Sequence, residues 1–205
     1  MALDTYANLK TSIKVWTHRD DLDSVTDDFI DLCEGMIYSN TDQGLLVREM
    51  ETSDTTAVGT QTMALPTGFI KMRKLTISVG SNETDVRFAT PESLNKSSAS
   101  GQPKNFTVTS QIEFDRSPDA TYTFNRVYLA KATALSTSNT TNAILTNYPQ
   151  IYLQGCLWAA YMYTGEEEKA SSAWTLFING IRGANKTYKK GFSPASSMRS
   201  EASTP

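Results

Sequence analysis

The sequence predicts an α+β fold: a helical bundle formed by the N- and C-terminal helices, with an inserted antiparallel β-domain. Apolar residues recur at helical spacing over the first forty residues, and again from about residue 144. Between them, strand formers alternate with polar residues and are punctuated by Gly, Pro, Asn and Asp turns. Each helical stripe needs a partner face, which the other end of the chain supplies. The expected boundaries are 1–44 and 133–190 for the helical domain, 45–132 for the β-domain and 191–205 for a flexible C-terminal tail.

Leu3, Tyr6, Leu9, Ile13 and Trp16 place a first helix, with Asp4 as its N-cap. Thr17-His18-Arg19-Asp20 interrupts the pattern, and Leu22, Val25, Phe29, Leu32, Cys33 and Met36 restart it. Asp20, Asp21 and Asp23 crowd the expected start of this second helix, where the macrodipole favours negative charge. The short connection predicts an αα-hairpin.

Residues 45–50 and 69–79 read as strands, with Leu65-Pro66-Thr67-Gly68 and Gly80-Ser81-Asn82 as turns. Residues 85–89, 106–108, 111–114 and 122–129 read as further strands. Thr90 and Pro91 read as the cap and first position of a helical turn, and 96–103 as a polar loop.

After a polar loop at 136–142 come Ile144, Leu145, Tyr148, Tyr152, Leu153, Cys156, Leu157 and Ala160. Pro149 belongs in the first turn of a helix starting near Tyr148, or kinks a longer one. Gly165 ends this helix, and Glu166, Glu167 and Glu168 open the last. Its stripe is Ala170, Trp174, Phe177, Ile178 and Ile181, and Lys186, Lys189 and Lys190 close it. Residues 191–205 are small, polar and aperiodic, and are expected to be disordered in isolation.

Hydrophobic residues make up 39% and charged residues 20%, the balance of a globular chain and too apolar for a disordered one. No apolar run approaches the length of a membrane span, and the N-terminus carries no secretory pattern. Cys33 and Cys156 sit in apolar helical patterns as small core residues, too few for a disulfide framework. The net charge of −3 is unevenly spread. Residues 1–60 set four basic residues against twelve acids, a net −8; residues 61–168 balance; residues 169–205 set six basic residues against Glu201, a net +5. Such polarity suits stacking on partners of opposite potential.

Catalytic chemistry finds little support. His18 is the single histidine and falls in an inter-helix loop, with no nucleophile suggested beside it. With two cysteines, zinc has three scattered candidate ligands. There is no phosphate-binding glycine loop, and the Asp20–Asp28 cluster lacks the glycine and glutamate of a calcium loop. No catalytic, cofactor-binding or metal-binding residue is expected. Two other function classes remain open: a glycan- or receptor-binding β-domain using exposed aromatics such as Tyr122 and Tyr128, and a cell-wall hydrolase.

The sequence resembles the head–tail adaptor (connector) proteins of tailed bacteriophages, the short-tailed type in particular. The resemblance runs through Asp28-Phe29-Ile30-Asp31-Leu32, then Leu65-Pro66-Thr67-Gly68-Phe69-Ile70-Lys71-Met72-Arg73-Lys74-Leu75, then Thr90-Pro91-Glu92-Ser93-Leu94. It continues through Gly101-Gln102-Pro103-Lys104-Asn105-Phe106-Thr107-Val108, Phe114-Asp115-Arg116-Ser117-Pro118-Asp119-Ala120-Thr121-Tyr122 and Tyr128-Leu129, and ends at 142–153. It implies a structural, non-enzymatic subunit at the head–tail junction of the virion, assembled from the host cytoplasm. It implies a homo-oligomeric ring, usually of twelve copies, that meets the portal protein and tail or nozzle proteins. DNA would pass through that ring without sequence-specific binding, no membrane is involved, and an acidic lumen would let it pass. The expected portal-docking residues lie at the basic C-terminal end. Lys186, Lys189, Lys190 and Arg199 supply charge, and Phe192 and Met198 supply apolar anchors for an extended segment.

Overall fold

The computed structural model describes residues 3–39 and 44–192. Its class is α+β, as expected, with five α-helices and two four-stranded sheets among the described residues. The described residues fall into two compact units, one from Met1–Glu49 and Ala132–Pro205, the other from Met50–Lys131.

In the helical unit, α1 (Tyr6–Thr17) starts one residue later than Asp4 would place it. Thr5 is the N-cap, its backbone extended and its hydroxyl accepting the Asn8 N–H at 3.3 Å. Asp4 accepts the Asn8 side-chain amide at 2.7 Å instead. α1 ends at His18 in the left-handed region, φ 54°. α2 (Thr26–Ser39) also begins later than the aspartates suggest. A turn closed by Val25 N–H on the Leu22 carbonyl precedes it, so Asp27 and Asp28 occupy its first turn while Asp20, Asp21 and Asp23 lie outside.

α1 and α2 touch each other sparsely; each packs chiefly on α4 (Pro149–Thr164), as does α5 (Glu167–Phe192). The composition of α4 explains this departure from a simple hairpin. Ile151, Tyr152, Leu153, Gly155, Cys156, Leu157, Ala159, Ala160 and Tyr161 are all buried, so the helix is apolar around its circumference and needs neighbours on several sides. The stripe of α2 is turned relative to the expected one. Ile30 and Ile37 are buried, whereas Leu32 is 55% exposed. Before α4, α3 (Ala143–Asn147) is capped by the Asn142 carboxamide, which accepts the Leu145 N–H at 2.8 Å. Pro149 then opens α4, and Gly165, φ 75°, closes it.

Residues 44–47 form no strand, contrary to expectation, and Arg48–Met50 is a 3-10 turn. The reason is hydrogen bonding outside any sheet: the Leu45 N–H reaches the Ile37 carbonyl at 2.8 Å and the Leu46 N–H reaches Asn185 Oδ1 at 2.8 Å. With these groups satisfied and Leu45 and Val47 buried, the segment needs no sheet partner.

The second unit is built from β1 (Glu51–Val58), β2 (Thr62–Met63), β3 (Phe69–Val79), β4 (Asn82–Asp85), β5 (Arg87–Phe88), β6 (Asn105–Val108), β7 (Ile112–Phe114) and β8 (Tyr122–Ala130). One sheet has the order β1-β8-β3-β4 and the other β2-β7-β6-β5. Phe114 and Phe124 stack across the two sheets with ring centroids 4.6 Å apart, amid Leu75, Ile77, Phe106 and Ile112. The pairing is antiparallel except between β5 and β6, which run parallel. Residues 85–89 do not form one strand. Val86 is buried and its N–H bonds the Leu75 carbonyl at 2.9 Å, which separates β4 from β5. Residues 91–93 make the single turn expected there, closed by the Ser93 and Leu94 N–H groups on the Thr90 carbonyl at 2.9 and 3.1 Å. Gly80, φ 62°, takes the first position of the two-residue β3–β4 loop, where a type II′ hairpin requires a positive φ.

Candidate docking surfaces

Four of the expected docking residues, Lys186, Lys189, Lys190 and Phe192, fall at the far end of α5. That helix opens with Glu167 and Glu168 and buries Ala170, Ala173, Phe177, Ile181 and Ala184. Its last described buried side chain is polar: Asn185 receives the Leu46 N–H and donates to the Gly44 carbonyl at 3.2 Å. This pair of bonds fastens the basic end of α5 to the segment that leaves α2. Gly44 allows the close approach, since a Cβ there would stand 2.6 Å from the Tyr38 carbonyl oxygen. Lys186 and Lys189 follow Asn185 in sequence and are exposed. Lys190 and Phe192 belong to α5 by backbone, so the helix runs past the expected start of the tail at 191. The side chains of Lys190 and Phe192, and all of Met198 and Arg199, lie outside what the structure describes.

The opposite sign gathers on α2 and on the connection that precedes it, beside Lys10 and Lys14 of α1. Asp27 is held below the usual carboxylate range by Lys10, 2.6 Å away, and by the Tyr6 hydroxyl at 2.5 Å. Burial and the Asp27 bond push the Tyr6 phenol up to about 12. Lys14 pairs with Asp23, and Arg19 grips Asp21 through two bonds of 2.5 and 2.6 Å. Asp28 and Asp31 are exposed on α2, beside the exposed Leu32.

Glu34 lies on the inner side of α2. Its Oε1 accepts the Leu135 N–H and the Tyr152 hydroxyl, both at 2.9 Å, while Tyr38 accepts the Ala132 N–H at 2.9 Å. Desolvation raises the Glu34 carboxyl above its ordinary value despite those two bonds. This cluster anchors the stretch by which the chain re-enters the helical unit.

In the β-unit, a groove of about 520 Å³ runs beside the first half of β3. Phe69, Met72, Phe88, Phe106 and Val108 give it an apolar lining, and Lys71, Arg73, Lys74 and Asp85 add charge. Phe88 is 60% exposed and meets Phe106 edge-on at 5.7 Å. The two tyrosines proposed from sequence are less available. Tyr128 is buried, and the Tyr122 hydroxyl donates to Asp119 at 2.6 Å. Strand alternation alone misses Phe88, because β5 is two residues long. The signal that could have found it is an aromatic between Arg87 and Ala89 outside any long alternating run.

Among the described residues no group of three or more His, Cys, Asp and Glu side chains is placed to hold a metal ion. His18 is exposed in its loop. No described helix is long and apolar enough to cross a membrane. No curated protein matches the chain. The SU10 adaptor protein family, however, matches residues 4–199, spanning the described parts of both units, and the chain therefore belongs to that family of phage adaptor proteins.

Proposed function

We propose that the chain is the structural subunit of a ring at the head–tail junction of the virion. Copies of it, usually twelve in such adaptors, sit beneath the portal, meet the tail or nozzle proteins and enclose the DNA channel. The subunit carries no catalysis. The observation that supports this best is the family match across 4–199, which leaves neither unit unaccounted for. The charge distribution fits: a ring of net-acidic subunits lets DNA slide, since a duplex binder needs a basic stripe.

In this reading the basic end of α5 steers the subunit onto the portal. Lys186, Lys189 and Lys190 provide the attraction and 191–205 the extended contact, with Phe192 and Met198 as anchors and Arg199 as a further cation. The experiment compares the full chain with one lacking 191–205 for attachment to portal-containing heads. Circular dichroism stays essentially unchanged, because the buried residues described on α5, through Asn185, all precede the deletion. Attachment is lost. Tailed particles assembled from the truncated subunit would refute the docking role.

A further inference from the structure

The β-unit has an open strand edge beside its apolar groove, and the adaptor reading makes no use of it. β3 pairs with β8 along 69–78, with register shifts between Phe69 and Lys71 and between Met72 and Lys74, but β4 covers the other side of β3 at 76–79 alone. Next to that, the Leu75 carbonyl is taken by Val86. Over 69–74 no strand among the described residues lies on that side. Backbone N–H and C=O groups on an uncovered edge are a template for another strand. Here the groove lined by Phe69, Met72, Phe88, Phe106 and Val108 runs along the same stretch.

We propose that this edge takes an extended protein segment in which apolar side chains alternate with carboxylates, added to β3 as a further strand. Main-chain bonds would supply affinity, and every second side chain would enter the groove. The charges choose the partner. Lys71, Arg73 and Lys74 line the groove against Asp85 as the one carboxylate. Lys71 and Lys74 are both exposed, so two copies meeting through this edge set like charges against each other. A segment bearing Asp or Glu meets cations instead. A nucleic acid fits less well, because its sugar-phosphate backbone cannot pair with the strand edge and would leave it unused. The inference goes beyond the adaptor role, which stands without it.

The test uses the full chain labelled with nitrogen-15. The probe is a capped heptapeptide alternating Glu or Asp with Val or Ile; the controls are its lysine counterpart and oligothymidylate. With the acidic peptide, amides of 70–74 and 85–88 shift, and those of 70–74 that point away from β8 gain protection from exchange. Lys71→Glu weakens binding by about threefold or more, the size of one exposed charge pair. Phe88→Ala weakens it by removing an exposed groove wall; an unchanged thermal melt shows that the fold is kept, and Lys71→Glu decides the matter if it is not. The proposal is overturned if millimolar acidic peptide leaves these amides unmoved, if the lysine peptide binds equally well, or if oligothymidylate binds the groove in its place.

Discussion

Glu34 shows how a single group couples charge to the helical fold. Its folded-state carboxyl is raised by desolvation, so the ionised form opposes folding. Below the ordinary carboxylate range both states are protonated and the opposition vanishes. As pH rises through the ordinary and then the raised value, stability from this group falls and stays lower. Glu34→Gln keeps an acceptor oxygen for the Leu135 N–H and the Tyr152 hydroxyl while removing the charge. Urea melts should therefore show the glutamine variant at least as stable as the parent at neutral pH, with the difference shrinking in acid. Glu34→Ala leaves both donors unpaired and should cost about 1–3 kcal/mol. A close approach sets a second expectation at this scale. A Cβ on Gly155 would lie 2.4 Å from Cys33 Sγ and 3.0 Å from Phe177, so Gly155→Ala should destabilise by about 1–3 kcal/mol in the same assay.

At the scale of elements, β8 depends on a polar tie that its sequence conceals. Arg126 is 6% exposed, pairs with Asp54 on β1 through two 2.6 Å bonds, and donates to the Ala64 carbonyl and the Thr56 hydroxyl. Asp54 is partly open to solvent, which softens the loss. Arg126→Ala should still cost about 2–4 kcal/mol, because it strands a carboxylate and a carbonyl together. Thermal melts followed at a β-sheet wavelength test this; a loss below about 0.5 kcal/mol, as at an ordinary surface site, would show the tie to be dispensable. β1 itself was not legible in the sequence. Its exposed Glu, Thr and Ser residues lack apolar alternation, since β1 pairs with β8 alone and presents most of its side chains to solvent. β3 was legible over most of its length, because Leu75 and Ile77 alternate with polar neighbours and turns bracket it.

At the scale of the whole chain, Cys33 and Cys156 report on the opening of the helical unit. Both are fully buried, and burial together with a bond to Cys33 pushes the Cys156 thiol well above its usual value. Neither should react with a thiol reagent until the helices around α4 part, so labelling rates should follow the unfolding rate across a denaturant series. Fast labelling of the native protein would contradict this packing. Assembly makes a separate demand. In the proposed ring, closure uses a heterologous contact, and each weak contact needs a template to accumulate. The purified subunit should therefore sediment largely as a monomer and form rings on the portal.

Local pattern suffices for the α+β class, the helical ends, the break at Gly165 and the place of Pro149, because these follow from periodicity and from backbone limits on Pro and Gly. The sequence also carried the family resemblance, which rests on motif order. Tertiary structure alone decided which face of α2 is buried, why 44–47 needs no strand partner, and where Glu34 and Arg126 find their bonds. It alone left the first half of β3 open beside an exposed Phe88. Those features are made by residues distant in the chain, such as Leu46 with Asn185, or Asp54 with Arg126. Burial and pairing of that kind depend on what folds against a segment, and a local pattern carries no record of it.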